Sequence, residues 1–266
     1  MKFHHLSLEE RLQWQSGIAA LEQMASYPLG DDFFQLDHGS DYFAFFDRLG
    51  SVNYYVALDG DRVAAVGAGV LRQVKTRRAE ALQSAWYLCD LKVHPFYQRQ
   101  QLSMRILSHA IADGLPTCVT GYTISMNTED GSASRWVRVL ERFDQIAFCR
   151  ATTLGIYSCD AMTMQKLEPI LNKHRGPITY LSLQGVKDLR LQSTGQMLPL
   201  LHVQWGVGKV GAIAVPQPRY THMFCAPTED ALALELSRLE VYPSATASVV
   251  SHGMQSDWRF ILTSDI

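Results

Sequence analysis

The chain has 266 residues, which is long for one domain and sufficient for two modest ones. Its 24 basic and 26 acidic side chains give a formal net charge of -2, which argues against a dedicated nucleic-acid binder, because such proteins need clustered Lys and Arg to displace counterions from phosphates. The five cysteines include no CxxC pair, which argues against a disulfide framework and a structural zinc site. The sequence has no run of about 18 apolar residues, which argues against a transmembrane helix. We therefore expect a cytoplasmic protein with no metal, nucleic-acid or membrane partner.

The first predicted element is a helix that begins after Ser7. Ser7 and Glu10 have the spacing of a capping box, in which each side chain accepts a hydrogen bond from the other residue's backbone N–H. Tyr27 and Pro28 end the run, because proline cannot continue the helical hydrogen bonds. One apolar face is predicted, formed by Leu8, Leu12, Ile18, Leu21 and Ala25. An aromatic-rich stretch at 41–49 predicts a second, short helix.

A β-hairpin is predicted between residues 53 and 74, because β-rich sequence flanks Asp59-Gly60. The pattern then predicts a strand at 84–93, a helix at 102–111, a strand at 117–126, a helix at 132–143 and a strand at 146–157. This mixed order excludes an all-α or all-β fold. The expected fold class is α/β (α+β), with a mixed central sheet flanked by helices.

The second half is predicted to form a smaller α/β domain. A helix at 161–173 and a break at 174–177 mark the boundary, which gives domains 1–160 and 161–266. Further strands are predicted at 178–183, 200–205, 210–215, 222–225, 247–251 and 258–263, with a helix at 229–241. The closing order of strand, helix, strand and strand repeats the order at 117–157, which suggests a degenerate second copy of the first fold.

The most informative segment is residues 87–107, YLCDLKVHPFYQRQQLSMRIL. A strand ends in the pattern Leu-x-Val-x-Pro, a turn follows, and an amphipathic helix begins. Such a turn directs unpaired backbone N–H groups and the positive end of the helix dipole at an anion. The segment resembles motif A of the GCN5-related N-acetyltransferase (GNAT) superfamily, whose turn reads Arg or Gln-x-x-Gly-x-Gly or Ala and binds the diphosphate of acetyl-CoA.

This resemblance implies a turn at residues 98–103. Gln98 agrees with the first motif position, whereas Gln101 and Ser103 stand where the family has small residues, and Arg99 supplies a cation beside the phosphates. The backbones of Leu91 and Val93 are expected to bond the pantetheine arm as an added strand would. The implied acetyl-CoA-binding residues are Leu91, Lys92, Val93, Gln98, Arg99, Gln100, Gln101, Leu102, Ser103, Met104 and Asn127.

Asn127 comes from a second segment that is similar to GNAT motif B. The stretch 123–127 is followed by Ala133 and an apolar helix that ends at Phe143. In the family, an Asn at the end of this strand faces the acyl-pantetheine arm.

The implied reaction is acetyl transfer to an amine, which needs a base because an ammonium has no lone pair for attack. Cys89 stands where the family often has Glu, and Asp90 keeps the neighbouring acidic position, so Asp90 is the candidate base and Tyr122 the candidate acid. The acceptor would be a small-molecule or peptide amine. Two alternatives are a non-catalytic acyl-CoA-binding regulatory protein and a scaffold whose C-terminal half binds a partner in a homodimer.

Two other patterns are interpreted without a ligand. The segment GVGKVG at 206–211 spells a dinucleotide-binding pattern, but the extended sequence after it predicts a hairpin turn instead of a helix. The basic residues Lys75, Arg77 and Arg78 are predicted to form a solvated turn.

Overall fold

The computed structural model describes residues 1–29, 32–75, 82–205 and 213–266. The helices are α1 (Leu8–Glu22), α2 (Ala44–Asp47), α3 (Leu102–Gly114), α4 (Arg135–Leu140), α5 (Ala161–Arg175) and α6 (Ala231–Arg238). The strands are β1 (Lys2–Leu6), β2 (Tyr27–Leu29), β3 (Asp32–Asp37), β4 (Ser51–Asp59), β5 (Arg62–Lys75), β6 (Leu82–Val93), β7 (Gly121–Met126), β8 (Cys149–Cys159), β9 (Ile178–Leu181), β10 (Asp188–Leu191), β11 (Met197–Leu198), β12 (Leu200–Trp205), β13 (Thr221–Pro227) and β14 (Ala245–His252).

The chain packs into two compact units. The first consists of Met1–Thr123, Gly185–Met197 and His252–Gln255, and the second of Ile124–Gln184, Leu198–Ser251 and Ser256–Ile266. The first unit therefore takes in two short segments from late in the sequence. Within the described ranges, no helix is long and apolar enough to cross a membrane.

The main sheet of the first unit has the strand order β1-β4-β5-β6-β7. β1, β4, β5 and β6 are antiparallel neighbours, and β7 joins β6 in parallel. α3 packs on one face of this sheet. A Cβ atom added to Gly67 of β5 would lie 2.8 Å from the side chain of Ile106 in α3, so glycine allows this close approach. Tyr55 of β4 belongs to this core, and adjacent Tyr54 points to the opposite face because strand side chains alternate.

A smaller sheet in the first unit has the order β11-β10-β3-β2. β10 pairs antiparallel with β3, and the pairing is extended by an ion pair between Arg190 and Asp37, with Nη2 3.0 Å from Oδ2. The segment Gly185–Met197 is thus anchored to the first unit by backbone pairing.

The second unit contains a sheet with the order β14-β8-β13-β12-β9. β12 and β13 are parallel, and the other neighbours are antiparallel. α5 and α6 contribute Met164, Leu232 and Leu236 to a core in which the rings of Tyr157 and Phe224 stack 4.8 Å apart. This unit has its own continuous hydrophobic core.

The expected fold class is confirmed, since both units combine sheets with helices. The capping box of α1 is also confirmed, because Ser7 and Glu10 accept the predicted hydrogen bonds. The predicted apolar face of α1 is wrong at its first turns, where Leu8 and Leu12 are 74% and 81% exposed. Arg11 is buried in their place. Its ion pair with Asp47, with Nη1 2.8 Å from Oδ1, offsets part of the free-energy cost of burying its charge.

The predicted strand at 258–263 is wrong. This segment forms two 3-10 turns, Trp258–Phe260 and Thr263–Asp265. The Asp257 side chain accepts a hydrogen bond from the Arg259 backbone N–H, and such local capping favours a turn over a strand. The sequence analysis does not predict β1, β2, β3, β10 or β11.

Several predictions stand outside what the structure describes or tests. The pattern at 206–211, the first residues of the strand at 210–215, and Arg77 and Arg78 lie outside the described residues. The division into domains 1–160 and 161–266 stays a prediction, since compactness of packing does not establish which segments fold independently.

Candidate functional site

The pairing between β6 and β7 ends before β6 does. Three parallel pairs join the two strands, the last between Leu88 and Thr123. Within the described residues, Cys89–Val93 of β6 is paired on its β5 side only. The unpaired edge at Leu91 and Val93 is the kind of edge that the predicted pantetheine binding requires.

A β-bulge interrupts β6 at the same place. Ala68 pairs with Cys89 and Val66 with Lys92, so that Asp90 and Leu91 together oppose Gly67. Asp90 has a φ of 56°, in the left-handed region that side chains rarely adopt. Residues two apart on a strand share a face, and the ion pair between the side chains shows that Asp90 and Lys92 still do so across the bulge.

The carboxylate of Asp90 lies in a buried polar network on the face opposite α3. Tyr42 donates to Asp90 Oδ2 at 2.9 Å, and Tyr54 and Lys92 make further, shorter hydrogen bonds to this carboxylate. Lys92 Nζ also lies 2.8 Å from Oε2 of Glu22, and Tyr42 Oη lies 2.7 Å from the same oxygen. The network thus links α1, the segment before α2, β4 and β6.

His38 completes the network on the side of α1. Its Nδ1 lies 3.2 Å from Glu22 Oε2, and its ring lies 4.7 Å from the ring of Tyr42. The side chains of both His38 and Glu22 are only 3% exposed. We call Glu22, His38, Tyr42, Tyr54, Asp90 and Lys92 the polar network.

The charges of the polar network shift its pKa values strongly. Burial acts to raise the pKa of Glu22, but the close contact with His38 and the charge of Lys92 outweigh it and lower the pKa to about 2. Burial acts to lower the pKa of Lys92, but the charges of Asp90 and Glu22 raise it above its ordinary value. Burial and the charge of Asp90 raise the pKa of Tyr42 and Tyr54. Glu22 and Lys92 are therefore both charged at neutral pH.

A second lysine reaches this region from the segment Gly185–Met197. Lys187 Nζ lies 4.3 Å from the centre of the Phe45 ring, which is a cation–π distance. Burial lowers the pKa of Lys187 to about 8, although the charge of Glu22 opposes this. Lys187 and Lys92 together balance the two carboxylates of Glu22 and Asp90.

The predicted acid, Tyr122, is fully buried in the first unit. Its ring stacks on Tyr87 at 5.0 Å, and Arg72 Nη1 donates a hydrogen bond to its hydroxyl at 3.0 Å. Asp90, by contrast, is held by Tyr42, Tyr54 and Lys92. The catalytic roles of Asp90 and Tyr122 stay predictions.

The predicted diphosphate turn contains no glycine, but two of its residues have the left-handed backbone conformation that favours glycine. Arg99 and Gln101 have φ values of 66° and 57°. Gln101 is the N-cap of α3, and its side chain makes no capping hydrogen bond and is exposed. Leu102 anchors the helix in the core at 2% exposure. The first N–H groups of α3 are thus not capped by the Gln101 side chain, as anion binding requires.

Gln101→Gly is expected to stabilise the protein. Holding a non-glycine residue in the left-handed region costs about 1 kcal/mol, and glycine removes that cost together with a side chain beside the turn. The midpoint of thermal unfolding should rise by about 2–4 °C. Gln100→Gly is the control, because Gln100 is outside the left-handed region and should lose stability. A lower midpoint in Gln101→Gly would contradict the strained turn.

The remaining predicted residue, Asn127, lies in the second unit. Its Nδ2 donates to Thr246 at 2.9 Å, and its Oδ1 accepts a hydrogen bond from Ser248 at 2.7 Å. Asn127 thus joins the end of β7 to β14, and its contact with a pantetheine arm stays a prediction. Among the described residues, no group of three or more His, Cys, Asp or Glu could hold a metal ion.

Sequence reasoning missed most of the polar network. Glu22 carried the clearest signal, because it follows Ile18 by four residues and so lies on the buried stripe of α1, where an acidic residue needs a partner. Tyr42 lies in the aromatic stretch, but nothing local indicates that its hydroxyl is buried. Lys187 had no signal, because its neighbours come from distant segments.

No protein-family model and no curated protein matches this chain. Solved structures match by fold. A tandem GNAT protein from the clavulanic acid biosynthesis pathway, determined without acetyl-CoA, matches over 96% of this chain and 99% of its own, with 10% identity and a TM-score of 0.51.

Two shorter matches are weaker. An aminoglycoside 6'-N-acetyltransferase complexed with coenzyme A matches over 49% of this chain and 65% of its own, with 11% identity and a TM-score of 0.36. The ribosomal-protein-S18-alanine N-acetyltransferase from Escherichia coli matches over 57% and 79%, with 15% identity and a TM-score of 0.37. Of these three, the full-length match has a TM-score above 0.5, and it shows that this chain has the fold of that protein.

Proposed function

We propose, from the tandem GNAT fold of this chain, that it binds acetyl-CoA through the turn at 98–103 and transfers the acetyl group to an amine. The observation that carries the proposal is the turn itself, which keeps left-handed backbone at Gln101 and leaves the start of α3 without a cap from that side chain. Residues other than glycine are strained in the left-handed region, and such strain is found mostly at functional sites. The strained backbone at Gln101 therefore supports a functional role for this turn.

The residues of the turn fit a diphosphate. The N–H groups of Leu102, Ser103 and Met104 begin α3 and carry the positive end of its dipole. Arg99 is exposed beside them and can supply a cation. Acetyl-CoA, when bound, would supply an acetyl group activated as a thioester.

The sheet face that carries Asp90 would receive the amine. Asp90 would accept a proton from the acceptor ammonium, and the contacts of its carboxylate with Tyr42, Tyr54 and Lys92 support this role. Tyr42 and Tyr54 would orient that carboxylate through their hydrogen bonds. Tyr122 is the proposed acid for the leaving thiolate.

A second candidate function is a non-catalytic acyl-CoA-binding module. It is favoured by one observation: the Asp90 carboxylate already accepts hydrogen bonds from Tyr42, Tyr54 and Lys92. These hydrogen bonds already occupy lone pairs of the carboxylate that a base would use to take a proton from substrate.

Thermal unfolding with and without acetyl-CoA tests the binding step. A ligand at 100 times its dissociation constant stabilises a native state by about 2.7 kcal/mol, so the midpoint should rise with acetyl-CoA concentration. CoA without the acetyl group should also raise it, because the diphosphate is shared. An unchanged midpoint at millimolar acetyl-CoA would contradict both candidate functions.

Asp90→Asn separates the two candidates once binding is established. If Asp90 is the base, thiol release with a panel of amines should fall at least about 100-fold while the acetyl-CoA dissociation constant is kept. Asp61→Asn, an exposed position on the hairpin, is the matched control. Turnover retained with the same pH dependence would remove Asp90 from the mechanism. Binding without thiol release in the unaltered chain would select the non-catalytic module.

A further inference from the structure

A second pair of parallel strands diverges, this time in the second unit. β12 and β13 are joined by three parallel pairs, the last between His202 and Met223. Within the described residues, Val203–Trp205 of β12 is paired only with β9, and Phe224–Pro227 of β13 only with β8. In the first unit, β6 and β7 are likewise joined by three parallel pairs before they diverge. Each unit thus contains a gap between two parallel strands.

The alternation of side chains along β12 and β13 assigns them to the two faces of this sheet. Val203 and Phe224 lie in the core covered by α5 and α6, and Trp205 packs against the same core. Because neighbouring residues on a strand point to opposite faces, His202 and Cys225 lie on the other face.

The segment Trp258–Asp265, which we call the inserted segment, contacts both strands from both faces. On the helix face, Trp205 Nε1 donates a hydrogen bond to the carbonyl oxygen of Arg259 at 3.1 Å. On the other face, Cys225 Sγ lies 3.4 Å from the carbonyl oxygen of Ile261. The inserted segment therefore changes face within two residues, which places it at the gap between β12 and β13.

Thr263 fastens the inserted segment where the two strands begin to diverge. Its Oγ1 donates a hydrogen bond to the carbonyl oxygen of Met223 at 3.1 Å and lies 3.0 Å from Nδ1 of His202. A hydroxyl has one proton to donate, so His202 donates to Thr263 through Nδ1. His202 and Met223 are the last pair that joins β12 to β13. Thr263 and Ile261 are 6% and 1% exposed, so this segment is packed as part of a core.

The part of the inserted segment between its two 3-10 turns is extended. Ile261 has φ -72° and ψ 131°, and Leu262 has φ -115° and ψ 153°. An extended chain can fill a gap in a sheet, because it presents amide groups along its length. The pantetheine arm proposed to bind beside Leu91 and Val93 in the first unit is also an extended chain with amide groups. The inserted segment and that arm thus share the chemistry that suits such a gap.

We propose that the gap between β12 and β13 is a second cleft of the pantetheine-binding type, and that the inserted segment occupies it as an internal ligand. The external ligand rests on the proposed function: a second acetyl-CoA would place its pantetheine arm in this cleft once the inserted segment leaves. While the segment is bound, each chain holds one acetyl-CoA, in the first unit.

Peptide complementation in the full-length chain tests the occupancy without acetyl-CoA. Ile261→Asp combined with Thr263→Val buries a charge and removes the hydroxyl, so it should expel the inserted segment and lower the midpoint of thermal unfolding by about 5 °C or more. A synthetic peptide of residues 256–266 should raise that midpoint again in a saturable way, as a ligand of the native state does. The same peptide with both substitutions should not. An unchanged midpoint, or equal effects of the two peptides, would overturn the proposal.

Titration calorimetry with acetyl-CoA tests the identity of the cleft. The unaltered chain should bind one equivalent and the double variant two, and the unaltered peptide should reduce two to one. Thr228→Val combined with Leu234→Asp, at exposed positions of the same unit, is the matched control and should bind one. Equal numbers of equivalents in the unaltered chain and the double variant would overturn the proposal. Binding to the double variant alone would contradict the proposed function and support the second cleft.

Amide hydrogen exchange of the unaltered chain decides the occupancy if the double variant does not fold. The backbone amides of Ile261, Leu262 and Thr263 should exchange at least about 1000-fold more slowly than in the free peptide, because opening them requires the gap to open. Exchange at the rate of the free peptide would mean that the gap has no internal ligand and would overturn the proposal.

Discussion

Ser103→Glu is expected to abolish measurable acetyl-CoA binding without unfolding the protein. Ser103 is the second residue of α3, where the proposed diphosphate would meet the backbone N–H groups. A carboxylate there faces the phosphates, and like charges in contact cost several kcal/mol. A penalty of about 2 kcal/mol already weakens the dissociation constant roughly 30-fold. The same carboxylate favours the fold, because acidic residues stabilise the first turn of a helix.

Ala112→Glu provides the matched control. Ala112 is exposed on the same helix, nine residues further along, or about 13 Å from the turn. This variant should keep the acetyl-CoA dissociation constant of the unaltered protein, measured by titration calorimetry. If both variants bind acetyl-CoA as tightly as the unaltered chain, the diphosphate does not sit at the start of α3.

Glu22→Gln is expected to lower the free energy of unfolding by about 3 kcal/mol at neutral pH. The pKa of Glu22 falls from 4.5 to about 2 in the folded chain. A shift of that size corresponds to about 3 kcal/mol at 1.36 kcal/mol per pKa unit. Removal of one member of a buried ion pair leaves Lys92 incompletely compensated, and such changes cost similar amounts. Urea unfolding of the two proteins measures the difference.

The pH dependence of this difference follows from the direction of the shift. Because the folded pKa of Glu22 lies below the unfolded value, its stabilisation is fully present above pH 4.5 and is lost as the pH falls towards 2. The difference in the free energy of unfolding between the unaltered protein and Glu22→Gln should therefore decrease below pH 4.5. Glu129→Gln, at an exposed position, is the matched control and should leave the free energy of unfolding at neutral pH unchanged. A difference in the free energy of unfolding that stays constant between pH 4.5 and 2 would contradict a charged, ion-paired Glu22.

Elements with local chemical signals were predictable from the sequence. The capping box at Ser7 predicted the start of α1, and Asp59-Gly60 predicted the β4–β5 hairpin, because both depend on neighbouring residues. The motif A resemblance placed the turn before α3, although Gln101 stands where the family has a small residue. The structure shows how the chain accommodates Gln101: its side chain is exposed, and its backbone adopts the left-handed conformation that glycine adopts readily.

The polar network could not be predicted in the same way. Lys92 and Glu22 are 70 residues apart, and Tyr42 and Asp90 are 48 apart, so no window of sequence contains both partners. The β-bulge that sets the direction of Asp90 also depends on its pairing with β5. Asp90 was chosen as a base from its position in a motif, but its surroundings are decided by tertiary packing.

The return of Gly185–Met197 to the first unit has a consequence for biosynthesis. β10 pairs with β3 across a separation of 153 residues between Arg190 and Asp37. On the ribosome, β2 and β3 therefore emerge long before β10, so the edge of β3 that pairs with β10 stays unfilled. After Thr123, about 60 residues are translated before Gly185 begins the segment that carries Lys187 and β10. Closure of so long a loop is slow, and exposed strand edges in waiting intermediates promote misassembly. Nascent chains of this protein should accordingly depend on chaperones until translation has passed β10.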